Sequence, residues 1–115
     1  MPYISLTTNV SIEQPQAKQL VRELSALMAK ATGKPERYVM ADVKESEGLL
    51  FAGSDAPAAY LECKSIGLSS AQAKTLSAEI SAALNAQLKL AADRIYIEFS
   101  DCRPEFWGWN GGTFG

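Results

Sequence analysis

Histidine is absent from this chain of 115 residues. That removes the side chain whose ordinary pKa lies nearest neutrality. With it go Ser-His-Asp and Cys-His catalysis and every His-based zinc site. Acid–base chemistry would fall to carboxylates, Lys, Tyr, Cys or a terminal amine. Cysteine is scarce as well: Cys63 and Cys102 lie far apart and form no CxxC pair, which reads as two reduced thiols. An excess of one charge is missing too. Eleven basic and 13 acidic residues leave a net charge of −2, with no Lys/Arg cluster, so neither nucleic acid nor a membrane surface is an expected partner. No apolar run approaches the roughly 20 residues of a membrane span. The opening Met1-Pro2-Tyr3-Ile4-Ser5 has neither the basic nor the apolar region of a signal peptide. A single cytoplasmic domain over residues 1–115, without metal or cofactor, is the expectation.

What is present is an ordinary globular composition, 47% hydrophobic and 21% charged. Tyr3 to Thr8 alternates with β-branched and aromatic residues and predicts a strand starting at the terminus. From about Pro15 to Thr32, Leu20, Leu24, Leu27, Met28 and Ala31 form one apolar helical stripe. Gly33 and Pro35 end it. Tyr38 to Val43 predicts a second strand, and Leu49 to Ala52 an edge strand or part of a hairpin. Ala59 to Ile66 reads as a strand, Ser70 to Lys89 as a helix with Ala73, Leu76, Ile80, Ala83, Leu84 and Leu88 on one face, and Arg94 to Ser100 as the last long strand. The tail, 105–115, is aromatic and Gly-rich, too short for a core element.

The second half repeats the first about 56 positions on: Leu20, Leu24 and Met28 align with Leu76, Ile80 and Leu84. The pseudo-repeats span about 2–44 and 58–100. Each strand–helix–strand unit brings its strands parallel. The predicted fold is therefore α+β, a four-stranded mixed sheet with two helices on one face. The sheet's other face would need cover, since Val39, Ala41 and Val43, or Met40 on the alternate parity, must meet apolar partners. That predicts a symmetric oligomer.

Pro2 follows the initiator methionine, a context in which aminopeptidases remove Met. The mature chain would begin with a secondary amine, on a rigid strand. A free α-amine titrates close to the working pH of a general base. An apolar pocket and a nearby cation would bring the more basic prolyl amine down toward it.

The ordered set Pro2, Thr8-Asn9-Val10, Ala31-Thr32-Gly33-Lys34-Pro35, Ser65-Ile66-Gly67, Asp93-Arg94-Ile95-Tyr96-Ile97, Gly108-Trp109-Asn110 and Thr113-Phe114 resembles the tautomerase superfamily, and within it the macrophage migration inhibitory factor group. The resemblance spans essentially the whole chain. It implies a homotrimer around a central barrel, active sites between subunits, and cofactor-free keto–enol tautomerisation of phenylpyruvate-like 2-keto acids. Pro2 matches the catalytic base. Lys34 matches the lysine that binds substrate carboxylate or carbonyl oxygen, although a solvated turn lysine would look the same. Ile66, after Ser65, matches a backbone N–H donor to substrate. Tyr96 matches a pocket tyrosine from the neighbouring subunit, although a tyrosine on an apolar strand is commonly core. Tyr38, Trp109 and Phe114 match aromatics at the mouth.

Three departures from the group's pattern bear on substrate. Glu98 stands where the animal proteins carry a pocket asparagine; it would raise the base's pKa, pair with Lys34 or bind a substrate hydroxyl. Trp107 and Tyr3 replace aliphatic residues and predict a narrower, more aromatic pocket. Ala58-Ala59-Tyr60-Leu61 replaces the group's CxxC, which excludes thiol–disulfide exchange. The competing readings are a cytokine-like, protein-binding trimer with a vestigial site and, less favoured, a dehalogenase- or decarboxylase-type member.

Overall fold

A computed structural model describes residues 1–115. Alternation in Tyr3–Thr8 gives strand β1, whose Ile4, Leu6 and Thr8 are buried and whose intervening residues are half-buried. Helix α1, Gln14–Thr32, has Pro15 in its first turn, where the missing N–H costs nothing. It buries Leu20, Leu24, Met28 and Thr32. Gly33 stops it in the left-handed region (φ 70°), its N–H donating to Ala29 O at 3.0 Å. Strand β2 is Met40–Glu45 and β3 is Ala59–Ile66. Helix α2, Ser70–Leu88, opens on a capping box. The Gln72 N–H donates to Ser69 Oγ at 3.1 Å, and the Ser69 N–H donates to Gln72 Oε1 at 2.9 Å. Strand β4 is Ile95–Cys102.

The sheet order is β2-β1-β3-β4, with β1 parallel to β2, β3 parallel to β4, and the central β1–β3 pair antiparallel. This is the expected α+β arrangement. One core joins Ile4, Leu6, Leu61, Cys63 and Ile95 of the sheet to Leu20, Leu24, Met28, Leu76, Ile80 and Leu84 of the helices. Val39, Ala41 and Val43 pack against the same core, and Met40 points away, 67% exposed. No helix is long and apolar enough to cross a membrane.

The structure corrects several expectations. β2 and β4 begin one or two residues later than predicted because a 3-10 turn precedes each, Glu36–Tyr38 and Ala92–Arg94. Period-two alternation does not reveal such a turn. Leu49–Ala52 is not an edge strand but enters a tight hairpin, the other arrangement expected. Phe51 and Ser54 exchange two backbone hydrogen bonds of 3.0 Å around Ala52 and Gly53, both at positive φ. The tail folds into a small hairpin of β5, Gly108–Trp109, and β6, Gly112–Thr113. Its turn is Asn110-Gly111, with φ of 52° and 81°, the two positive values a tight hairpin requires.

The outer face of the sheet is also unlike the expectation. It carries Ser5 and Thr7, the pairs Asp42–Lys44 (3.5 Å) and Glu62–Lys64 (3.4 Å), and Glu98. Water can cover such a face. The apolar argument for a second layer is therefore weakened at the centre of the face, although Met40 and Tyr96 on the same face are exposed.

Candidate active site

Pro2 is fully buried at the start of β1, and its carbonyl accepts a 3.0 Å bond from the Met40 N–H. The neighbouring strand holds the same end of the sheet. Tyr3 pairs with Lys64, so Pro2 lies level with Ser65, and Ile66 pairs with Cys102 beyond it. Lys34 reaches this end because α1 stops abruptly. Thr32 Oγ1 donates to Met28 O at 2.6 Å and accepts the Lys34 N–H at 3.3 Å, and Pro35 then begins the 3-10 turn. That turn is what swings Tyr38 toward the terminus.

Here lies a cavity of about 380 Å³. Pro2, Tyr38, Trp107, Trp109 and Phe114 line it, as the sequence reading proposed, together with Tyr3. The aromatics brace one another. Trp109 meets Tyr38 edge-on at 6.0 Å and stacks with Phe114 at 5.9 Å and 13°. The Asn-Gly turn of the tail makes this possible by folding Phe114 back beside Trp109, with the Phe114 N–H donating to Trp107 O at 3.2 Å. The volume suits a small monocyclic ligand.

The terminal amine of Met1 has its pKa lowered, first by burial and then by the Lys34 ammonium, with Cys102 opposing. Lys34 is thus close enough to act on an amine at this position. Ser65 is buried, and its Oγ has no hydrogen-bond partner, the only buried side-chain polar atom so left. Such an atom is costly unless something satisfies it. Cys63 is inert by contrast: burial pushes its thiol up to about 12.

Lys34, Ser65 and Ile66 lie at this end of the sheet but are not among the residues that line the cavity, and two further predicted residues lie elsewhere. Tyr96 sits on β4 opposite Tyr60, two strands from β1 and about 16 Å along the strands from the level of Pro2. It is 64% exposed, and its ring packs 4.5 Å from Phe51 beside a second, wholly apolar recess of about 180 Å³. Glu98 is exposed on the outer face, level with Glu62 and outside the cavity. The residues missed as wall-formers are Arg37, Val39, Met40 and Gly108. Only Arg37 carried a usable signal, since it immediately precedes the predicted mouth residue Tyr38. No group of His, Cys, Asp and Glu suited to a metal ion occurs.

The family model for macrophage migration inhibitory factor matches residues 1–115. The chain belongs to that family. A macrophage migration inhibitory factor of Xenopus tropicalis is 36% identical over 115 residues, covering 99% of each chain. A homologue from Brugia malayi is 35% identical over 116 residues and covers both chains fully. The crystal structure of a homologue from Prochlorococcus marinus superposes with a TM-score of 0.92 at 38% identity, covering 98% of this chain and 99% of that one. Two helices on a four-stranded mixed sheet are thus the architecture of the macrophage migration inhibitory factor structures.

Proposed function

We propose that this chain is a cofactor-free keto–enol tautomerase of phenylpyruvate-like 2-keto acids, with the Pro2 amine, unmasked by loss of Met1, as its general base. Tautomerase activity occurs in some members of the family. The observation that supports the reading is the placement of Pro2 in an aromatic cavity, next to a Met1 amine whose pKa burial and then Lys34 lower.

The chemistry follows from that placement. The neutral amine takes a proton from the carbon beside the substrate's ketone, breaking C–H and forming N–H. The electron pair moves to the carbonyl oxygen, where the Lys34 ammonium stabilises the enolate. The protonated amine then returns its proton to that oxygen, giving the enol and restoring the base. The reverse sequence ketonises the enol. Ser65 Oγ and the Ile66 N–H are donors at the same end, and Tyr38, Trp109 and Phe114 hold the ring.

The site is completed by a second copy of the chain in a homotrimer. Tyr96 is too far from Pro2 to serve its own cavity, and it is exposed beside Leu50, itself 68% exposed. This apolar corner of the outer face is the surface a neighbour would cover. Glu98, two residues on, would approach the same neighbouring site.

The test is keto–enol conversion of phenylpyruvate by protein shown by intact mass to lack Met1, beside a Pro2→Gly variant. The reading expects a loss of at least about 100-fold in kcat/KM. Equal rates would remove Pro2 from proton transfer.

A further inference from the structure

Arg37 is the one charged side chain on the wall of the Pro2 cavity, which contains no carboxylate. Its guanidinium makes no hydrogen bond and joins none of the three ion pairs of the chain. The adjacent carboxylate is engaged elsewhere, since Ser25 Oγ donates to Glu36 Oε2 at 3.0 Å. The guanidinium is nevertheless positioned, lying 4.7 Å above the centre of the Tyr38 ring. Tyr38 is in turn braced by Trp109. An arginine held flat on an aromatic face keeps its N–H fork free for a planar anion. The cavity therefore offers an unspent, pre-oriented anion donor at its aromatic wall.

The two cations of this region serve different ends. Lys34 acts on the terminal amine of Met1, and Arg37 lines the cavity wall. On the proposed function, a 2-keto acid whose reacting carbon faces Pro2 would have its own carboxylate held by Lys34. Its ring then extends toward Tyr38 and Trp109, and a substituent on the far side of the ring meets Arg37. We propose that the cavity selects aromatic acids bearing a second carboxylate distal to the reacting end, which Arg37 binds. The proposal rests on the reading of this cavity as the substrate site and names the class of substrate it prefers.

Both tryptophans of the chain, Trp107 and Trp109, line this cavity. Intrinsic fluorescence therefore reports on its occupancy without any need for turnover. The test titrates 4-carboxyphenylacetate, phenylacetate and uncharged-substituent 4-methylphenylacetate against the full chain, Arg37→Gln and Arg37→Lys. The unmodified chain is expected to bind the dicarboxylate about tenfold more tightly than phenylacetate at low salt. In R37Q that advantage should fall to within about twofold, with phenylacetate affinity unchanged, and R37K should keep part of it because a point charge replaces the fork. Equal affinities in the unmodified chain would overturn the proposal. So would a preference that survives in R37Q, or no quenching by either acid. If the fluorescence preference holds while phenylpyruvate conversion is absent, the catalytic reading fails and this one stands. If conversion depends on Pro2 and the preference is missing, the reverse is true.

Discussion

The two strand–helix–strand halves of this molecule share a frame and differ in what occupies it. Helix Gln14–Thr32 recurs as Ser70–Leu88, and the 3-10 turn Glu36–Tyr38 as Ala92–Arg94, each 56 positions on. At that spacing Pro2 corresponds to Ala58, Lys34 to Leu90 and Tyr38 to Arg94. Of the first set, Pro2 and Tyr38 line an open cavity and Lys34 acts on the terminal amine of Met1 beside it. In the second set, Ala58 and Leu90 are buried, and Arg94 is tied down. The Arg94 guanidinium donates to the carbonyls of Phe51, Pro57, Ser54 and Ala56 at 2.9–3.2 Å and lies 5.0 Å over the Phe51 ring. One frame thus builds a site at one end and a stapled corner beside a smaller apolar recess at the other. Placement by the fold is common to both halves, and the chemistry comes from three or four side chains.

The sharpest way to break this comparison is to exchange the equivalent residues Lys34 and Leu90. Leu90→Lys buries an unpaired ammonium and should cost about 3–5 kcal/mol in urea unfolding. Lys34→Leu should leave stability within about 0.5 kcal/mol yet lower kcat/KM by roughly 10–100-fold. The sign of its pH effect is fixed by the amine. A nearby cation favours the neutral form of a terminal amine, as Lys34 does for that of Met1, so removing it should raise the pKa of the unmasked Pro2 amine. The rising limb of the pH–rate profile should then move to higher pH. A limb that stays in place would separate Lys34 from the base.

A smaller effect is expected at the staple. Arg94→Ala removes four hydrogen bonds, although the carbonyls of Phe51, Ser54 and Ala56 keep other donors, and should cost about 2–3 kcal/mol, with faster amide exchange across residues 49–58. Arg37→Ala, which removes no internal bond, should leave the unfolding midpoint unchanged. The smallest test compares the helix starts. Ser69→Ala removes a capping box and should cost about 1 kcal/mol. Glu13, at the equivalent position of α1, makes no cap bond, and Glu13→Ala should be near neutral. Equal losses in urea melts would deny the difference between the halves.

The frame was legible in the sequence because it is written in periods. Leu20, Leu24 and Met28 declare a helix face, their counterparts 56 positions later declare another, and the strands alternate. The 3-10 turns were not legible, because three residues carry no period, and Arg37 was missed as a wall residue along with them. Parity was the other obscure point. Which of Val39 or Met40 faces the helices depends on where pairing with Pro2 begins. That same uncertainty led to an apolar outer face where Lys44 and Lys64 in fact pair with acids. The residues gathered at the cavity, Pro2, Tyr38, Trp109 and Phe114, were found through family resemblance. Nothing in their spacing alone brings positions 2, 38 and 109 together.

The account stands most directly on the nitrogen of Pro2. With Met1 attached, that nitrogen is a tertiary amide and has no basic lone pair. The measurement is phenylpyruvate keto–enol conversion by two preparations of the same chain, one retaining Met1 and one lacking it by intact mass, with matching circular dichroism. The account predicts that conversion resides in the Met1-free protein and is lost, by at least about 100-fold, in the other. Equal conversion by both preparations would contradict it.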